Sequence, residues 1–148
     1  MIVSQILSAK SEGTETEAVF TVRPDMTIAD AAELLSARRI GAVIVSEDGT
    51  HPLGILSERD IVRELGREGA TVLARQVKDL MTSKLKSCTP DMSALDVLEK
   101  MSEGRFRHMP VMIGEEMVGL VSIGDVVKAR LSQLSMEKDA LEGMIMGH

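Results

Sequence analysis

Apolar positions along this chain change period in a fixed order, and the order occurs twice. Phe20-Thr21-Val22 is short and extended, and Pro24-Asp25 turns the chain. Ile28, Ala31, Ala32 and Leu35 then recur at helical spacing behind Thr27, a good N-cap with Asp30 at the third helical position. Ala42-Val43-Ile44-Val45 is an unbroken apolar run of strand length, the pattern of a buried strand. Glu47-Asp48-Gly49-Thr50 has hairpin-turn chemistry, residues 53–56 form the return strand, and Ser57 opens a helix carrying Ile61, Val62 and Leu65. The second half repeats this order. Ser93 and Asp96 cap a helix whose inner face is Ala94, Val97, Leu98 and Met101. Residues 109–113 form a strand, Gly114-Glu115-Glu116 a turn, residues 117–121 the return strand, and Ser122 opens the last helix.

Two short markers tie the halves together. Pro24-Asp25-Met26-Thr27 recurs as Pro90-Asp91-Met92-Ser93, and Gly54-Ile55-Leu56-Ser57-Glu58-Arg59-Asp60 recurs, one residue closer, as Gly119-Leu120-Val121-Ser122-Ile123-Gly124-Asp125. The chain is an internal duplication, with a first repeat over residues 1–70, a second over 71–135 and a helical extension over 136–148. Short amphipathic segments, Val3-Ser4-Gln5-Ile6-Leu7 and Val77-Lys78-Asp79-Leu80-Met81, precede the two copies. The first copy carries extra residues, which fall in the polar stretch 8–18 and read as a mobile loop. In the final helix Val127, Leu131, Leu134, Leu141 and Ile145 keep a three-to-four spacing interrupted at Lys138. Such a stripe either packs against the N-terminal segment or forms a dimer contact.

Composition narrows the function classes. The 148 residues suit one domain or two small halves, and 44% hydrophobic content supports a packed interior rather than disorder. Phe20 and Phe106 are the only aromatic residues, so the stacking platforms of a single-strand nucleic-acid binder are missing. A net charge of −6 repels polyanions, so a nucleotide site needs local positive charge. Cys88 is the sole cysteine and fits a reducing compartment. No apolar run is long enough to span a membrane, and no signal-peptide pattern opens the chain, so a cytoplasmic protein is expected. The 11 methionines read as core filling or as an adaptable binding surface. His51, His108 and His148 are scattered without metal-ligand spacing, and no nucleophile stands in a recognisable catalytic set, so an enzyme is disfavoured.

The candidate chemistry lies at Ser57-x-x-Asp60 and Ser122-x-x-Asp125. A Ser three residues before an acid is also a helix-capping pattern, which Thr27-x-x-Asp30 and Ser93-x-x-Asp96 share. Ser57 and Ser122 differ in following an apolar strand with a glycine three residues upstream. A helix start there presents free amides and positive dipole to an anion, and an acid one turn in suits ribose hydroxyls. The basic entries to the middle strands are the second candidate. Arg38-Arg39-Ile40-Gly41-Ala42 corresponds to Gly104-Arg105-Phe106-Arg107-His108, and with Arg59 these are concentrated positive charge near the helix starts. Their alternative reading is a solvated surface.

Over residues 3–131 the doubled Pro-Asp-Met-Thr/Ser, the strand segments Ile40-Gly41-Ala42-Val43-Ile44-Val45 and Phe106-Arg107-His108-Met109-Pro110-Val111, and the doubled Gly-x-x-Ser-x-x-Asp resemble a tandem pair of cystathionine-β-synthase-type (CBS) domains. Val77-Lys78-Asp79-Leu80-Met81-Thr82 also resembles the opening of such a domain. The resemblance implies an α+β fold of two β-α-β-β-α repeats about a pseudo-twofold axis, with two clefts for adenosine-containing ligands: AMP, ADP, ATP, S-adenosylmethionine or NAD(H). It implies that Asp60 and Asp125 bond ribose and that Ser57 and Ser122 sit by phosphate. Gly41, Ala42 and Val43, and His108, Met109 and Pro110, would line adenine. Arg59, Arg107 and His108 would meet phosphate, and Thr21, Val22, Ser87 and Cys88 would form cleft walls. Arg39, Ile40, Arg105 and Gly124 complete the expected lining. Ile44 stands against Pro110, and Arg59 against Gly124, so the sites are expected to be unequal. At this length the resemblance implies a free-standing, non-enzymatic sensor that forms a homodimer. The competing expectation is a ligand-independent interaction module docking a partner through its C-terminal helix. A fragment related to inosine-monophosphate dehydrogenase would share only that enzyme's regulatory insert.

Overall fold

The computed structural model describes residues 1–11 and 20–145. The fold is α+β, with elements in the order α1 (Val3–Ser11), β1 (Thr21–Val22), α2 (Ile28–Arg38), β2 (Ala42–Val45), β3 (Gly54–Ser57), α3 (Glu58–Glu68), α4 (Val77–Leu80), α5 (Ala94–Gly104), β4 (His108–Ile113), β5 (Glu116–Ser122) and α6 (Ile123–Ile145). A 3₁₀ segment, Gly69–Ala74, links α3 to α4. Residues 8–11, expected in a loop, continue α1, and the rest of that expected loop up to residue 18 lies outside the described residues.

Two compact units form, and they do not follow chain order. One holds β1, α2, β2, β3, α3, α4 and the hairpin tip Met112–Gly119; the other holds α1, α5, the base of the β4–β5 hairpin and α6. The leading helices are therefore exchanged between repeats. The Val77 amide of α4 donates to the Met26 carbonyl at 2.8 Å, that of Lys78 to Pro24 at 3.0 Å, and that of Ile28 to Arg75 at 2.8 Å. In the other unit Val3 donates to Met92 at 2.9 Å, Ser4 to Pro90 at 2.9 Å and Ala94 to Met1 at 2.9 Å. The repeated Pro-Asp-Met marker thus supplies the carbonyls that dock a leading helix, satisfying amides that a helix start leaves open.

In the first unit β1 runs parallel to β2, and β2 antiparallel to β3 with Val43 opposite Leu56. Ile28, Ala31 and Leu35 of α2 and Ile61 of α3 close over this sheet with Val72, Val77 and Leu80. All four β2 residues are buried, as the apolar run requires. The turn after β2 is organised by side chains: Asp48 Oδ1 accepts the Thr50 and His51 amides, both at 2.9 Å, and Ser46 Oγ accepts that of Gly49 at 3.0 Å. Gly54 has a packing reason. Ile55 exchanges two backbone hydrogen bonds with Thr82, so a Cβ on Gly54 would lie 2.6 Å from Met81 Sδ and 2.9 Å from the Thr82 carbonyl.

The second unit centres on Val3, Ile6, Cys88, Val97, Met101, Met109, Val111, Val121 and Val126. Where the first repeat has a two-residue strand, the second has the single bridge Cys88–Val111. Pro110 occupies the position of Ile44 and has no N–H to donate, which removes one ladder bond and reduces the strand to a bridge.

Both middle helices end on an arginine in the left-handed region, Arg39 at φ 54° and Arg105 at φ 58°. Glycine takes that conformation without the Cβ conflict. Arg39→Gly and Arg105→Gly are each expected to raise stability by up to about 1 kcal/mol in urea unfolding. A loss of stability at both positions would show that the arginine side chains, not the backbone, govern these termini.

Candidate functional site

At the end of β3 the chain passes directly into α3, and Ser57 and Asp60 lock this corner reciprocally. The Ser57 amide and hydroxyl donate to Asp60 Oδ2 at 2.9 and 3.0 Å, while the Asp60 amide donates to Ser57 Oγ at 3.3 Å. Arg63 Nη2 donates to Asp60 Oδ1 at 3.0 Å. Asp60 is 7% exposed, and both its carboxylate oxygens are engaged. The Glu58 amide donates to the Gly41 carbonyl at 2.9 Å, so the helix start is tied to the entry of β2. Thr21 is half-buried beside buried Val22; Ala42 and Val43 are buried, and Arg59 is exposed.

The second corner has the same construction with a different cation. The Ser122 amide donates to Asp125 Oδ2 at 2.9 Å, the Asp125 amide to Ser122 Oγ at 3.1 Å, and the Ile123 amide to the Arg107 carbonyl at 2.8 Å. Here Lys10 of α1 lies 2.8 Å from Asp125 Oδ2 and donates to the Leu120 carbonyl at 3.0 Å. Met109 and Pro110 are buried, His108 is half-buried, and Arg105, Arg107, Gly124 and Ser87 are exposed. Cys88 turns its thiol into the core, where burial pushes it up to about 11 against the opposing pull of Lys100. Its side chain therefore packs rather than reacts.

The four Ser/Thr-x-x-Asp motifs separate into two kinds. Thr27 and Ser93 accept the Asp30 and Asp96 amides at 3.2 and 3.1 Å as single caps, with no return bond from the acid. Of these four motifs, the Ser57 and Ser122 corners are the reciprocal pair. Of the basic strand entries, Arg38 stacks its guanidinium 3.6 Å from the Phe20 ring centre, a cation–π contact. Arg39, Ile40 and Gly41 line a surface groove of about 530 Å³ between α2 and α3, together with Leu35, Glu58 and Ile61. Neither Ser57 nor Asp60 lines that groove. The structure thus joins Ser57, Asp60 and Gly41 at one corner and directs Arg39 towards the helix side. Among the described residues no cluster of His, Cys, Asp and Glu could hold a metal ion.

Lys10 and Arg63 are the residues that reasoning from the sequence missed. Arg63 stands three residues after Asp60, on the same helical face, and that spacing was a usable signal. Lys10 follows Val3, Ile6 and Leu7 at helical spacing, which extends α1 through it; its partner is set only by the exchange of leading helices. Burial pushes the Asp125 carboxyl up, but the Lys10 ammonium and the Ser122 amide outweigh it and hold the group below its ordinary value. That stabilisation is present above the unfolded carboxyl value of about 3.9 and is lost as pH falls through the lower folded value. Lys10→Ala is expected to be less stable than the parent at pH 7, with the difference shrinking in urea titrations as pH falls through the lowered Asp125 value. A difference independent of pH would assign the loss to α1 packing instead.

A chain with a β-α-β-β-α repeat and a second in which a single bridge replaces the first strand, each turning from strand to helix at a Ser-x-x-Asp corner, is a tandem module with one such corner per repeat. The CBS domain family matches residues 15–67 and 77–132, and the chain belongs to that family. It is 31% identical over 149 residues to the mitochondrial CBS domain-containing protein CBSX3 of Arabidopsis thaliana, covering 98% of this chain and 72% of that one. It superposes on the CBS-domain protein ATU1752 of Agrobacterium tumefaciens with a TM-score of 0.80, at 39% identity over 88% of this chain and 99% of that one. The crystal structure of CBSX2 in complex with AMP shares the fold, with a TM-score of 0.70 at 24% identity over 88% of this chain and 96% of that one. Among the described residues no helix is long and apolar enough to cross a membrane.

Proposed function

We propose that this protein is a non-enzymatic regulatory module that binds adenosine-containing ligands at two unequal sites, one per repeat. AMP, ADP and ATP are the leading ligands, with NAD(H) and S-adenosylmethionine as further members of the class. The observation that carries the reading is the pair of reciprocal Ser–Asp corners, each tied by a backbone hydrogen bond to a strand entry. The AMP complex of a protein with this fold supports the ligand class. In this reading Ser57 and Asp60 serve one ligand and Ser122 and Asp125 the other, with Arg59, Arg107 and His108 towards phosphate. The sites differ because Asp60 is held by its helix neighbour Arg63, whereas Asp125 is held by Lys10 from a distant segment. The working form is a homodimer in a reducing, cytoplasmic setting.

The test is a thermal-shift and calorimetry panel of AMP, ADP, ATP, NAD(H) and S-adenosylmethionine. A ligand at 100 times its dissociation constant adds about 2.7 kcal/mol of stability. At least one member is expected to raise the melting temperature, with two unequal binding steps. No response to any member would sink the reading. A ligand-independent module that docks a partner through its C-terminal helix is the second reading, favoured by the exposed apolar residues of α6.

A further inference from the structure

The second half of α6 is exposed among the described residues. α1 reaches only its start, where Lys10 meets Asp125 and where Ile6 shares a core with Val126 and Ala129. From Leu131 to Ile145 no residue is buried. Yet Leu131 is 62% exposed, Leu141 57% and Ile145 75%, with Val127 and Leu134 also exposed. Of the expected packing against the N-terminal segment, α1 therefore supplies only this start, and residues 12–19 lie outside the described residues. A helical stretch of about four turns with no buried residue is marginal in water by itself, so its stability calls for a partner along that stripe.

The stripe is a heptad seam. Val127, Leu134 and Leu141 alternate with Leu131, Lys138 and Ile145 at the two inward positions of a coiled coil. The flanking charges discriminate between orientations. In a parallel pair Lys138 would face Lys138 of the second copy in one layer, and Glu137 would face Glu142 twice. In an antiparallel pair Val127 lies opposite Ile145, Leu131 opposite Leu141, and Leu134 opposite Lys138. Lys128 then flanks Glu142 of the second copy, a pair that occurs twice by symmetry. The two Glu137 groups near the twofold axis have the two Lys138 ammonium groups beside them.

We infer that α6 pairs antiparallel with α6 of a second copy of this chain along the seam from Val127 to Ile145. This deepens the homodimer part of the proposed function and is independent of its ligand part. Mass in solution tests the pairing, and ligand-induced melting shifts test the other reading, so the two can fail separately.

Sedimentation equilibrium of the full chain is expected to give a dimer at micromolar concentration. Leu134→Asp, at an exposed position, is expected to give a monomer that still melts cooperatively. Glu142→Lys places two lysine pairs across the antiparallel seam and is expected to weaken association by about tenfold at low salt, as is Lys128→Glu. The double variant Lys128→Glu/Glu142→Lys is expected to recover the parent affinity. In a parallel pair Glu142→Lys would instead meet Glu137 and tighten association, which overturns the orientation. A monomeric parent chain, or a Leu134→Asp variant that remains dimeric, overturns the seam itself.

Discussion

Leu56→Ala is expected to lower the free energy of unfolding by about 2–5 kcal/mol, measured as a lower urea midpoint with an unchanged slope. Leu56 is 0% exposed at the centre of β3, paired opposite Val43 and packed in one cluster with Ile28, Leu35 and Ile61. Removing its branched end leaves a void that these neighbours fill only in part, so the lost transfer energy and the cavity cost add. Met101→Ala in the other unit is also 1% exposed, and it is expected to cost a similar amount. Val62→Ala, at a residue 66% exposed, is the control and is expected to stay within about 0.5 kcal/mol of the parent. A cost below about 1 kcal/mol for Leu56→Ala would mean that β3 does not close this core as described.

Asp60→Ala is expected to cost about 2 kcal/mol and to remove ligand binding at the first site. The stability loss follows from the hydrogen bonds: the Ser57 amide loses its acceptor at a partly buried corner, and the helix start loses a negative charge beside its dipole. The binding loss follows from the proposed function and is measured by calorimetry with AMP. Arg63→Ala separates the two roles. Arg63 is half exposed and holds only Oδ1, so its removal leaves the Ser57–Asp60 lock intact and costs at most about 1 kcal/mol. It also frees Oδ1 for a ribose hydroxyl, so AMP affinity is expected to rise. Unchanged AMP binding in both variants would reduce this corner to a helix cap.

The elements were legible in the sequence because their signals are local. Thr27 and Ser93 cap the helices they were expected to cap, and the Ala42-Val43-Ile44-Val45 run is buried throughout. The Ser57 and Ser122 corners stood out by their strand and glycine context, and the structure sets them apart by reciprocity. The backbone of the arginines was not legible by the same local logic. A basic pair at a strand entry says nothing of backbone sign, and Arg39 and Arg105 prove to be left-handed helix ends. Arg38 found an aromatic ring eighteen positions earlier in the chain.

By itself the sequence determined the duplication, the order of helices and main strands, the N-terminal capping of α2, α3, α5 and α6, and the family. These depend on periodicity and on side chains within about four positions of the groups they satisfy. Only the tertiary structure decided that the leading helices change places, so that Lys10 meets Asp125 while Asp60 stays with Arg63. It also buried the Cys88 thiol and left the α6 stripe uncovered. Those outcomes depend on which distant segment satisfies a given carbonyl or covers a given apolar face, and the spacing of residues along a chain does not carry that information.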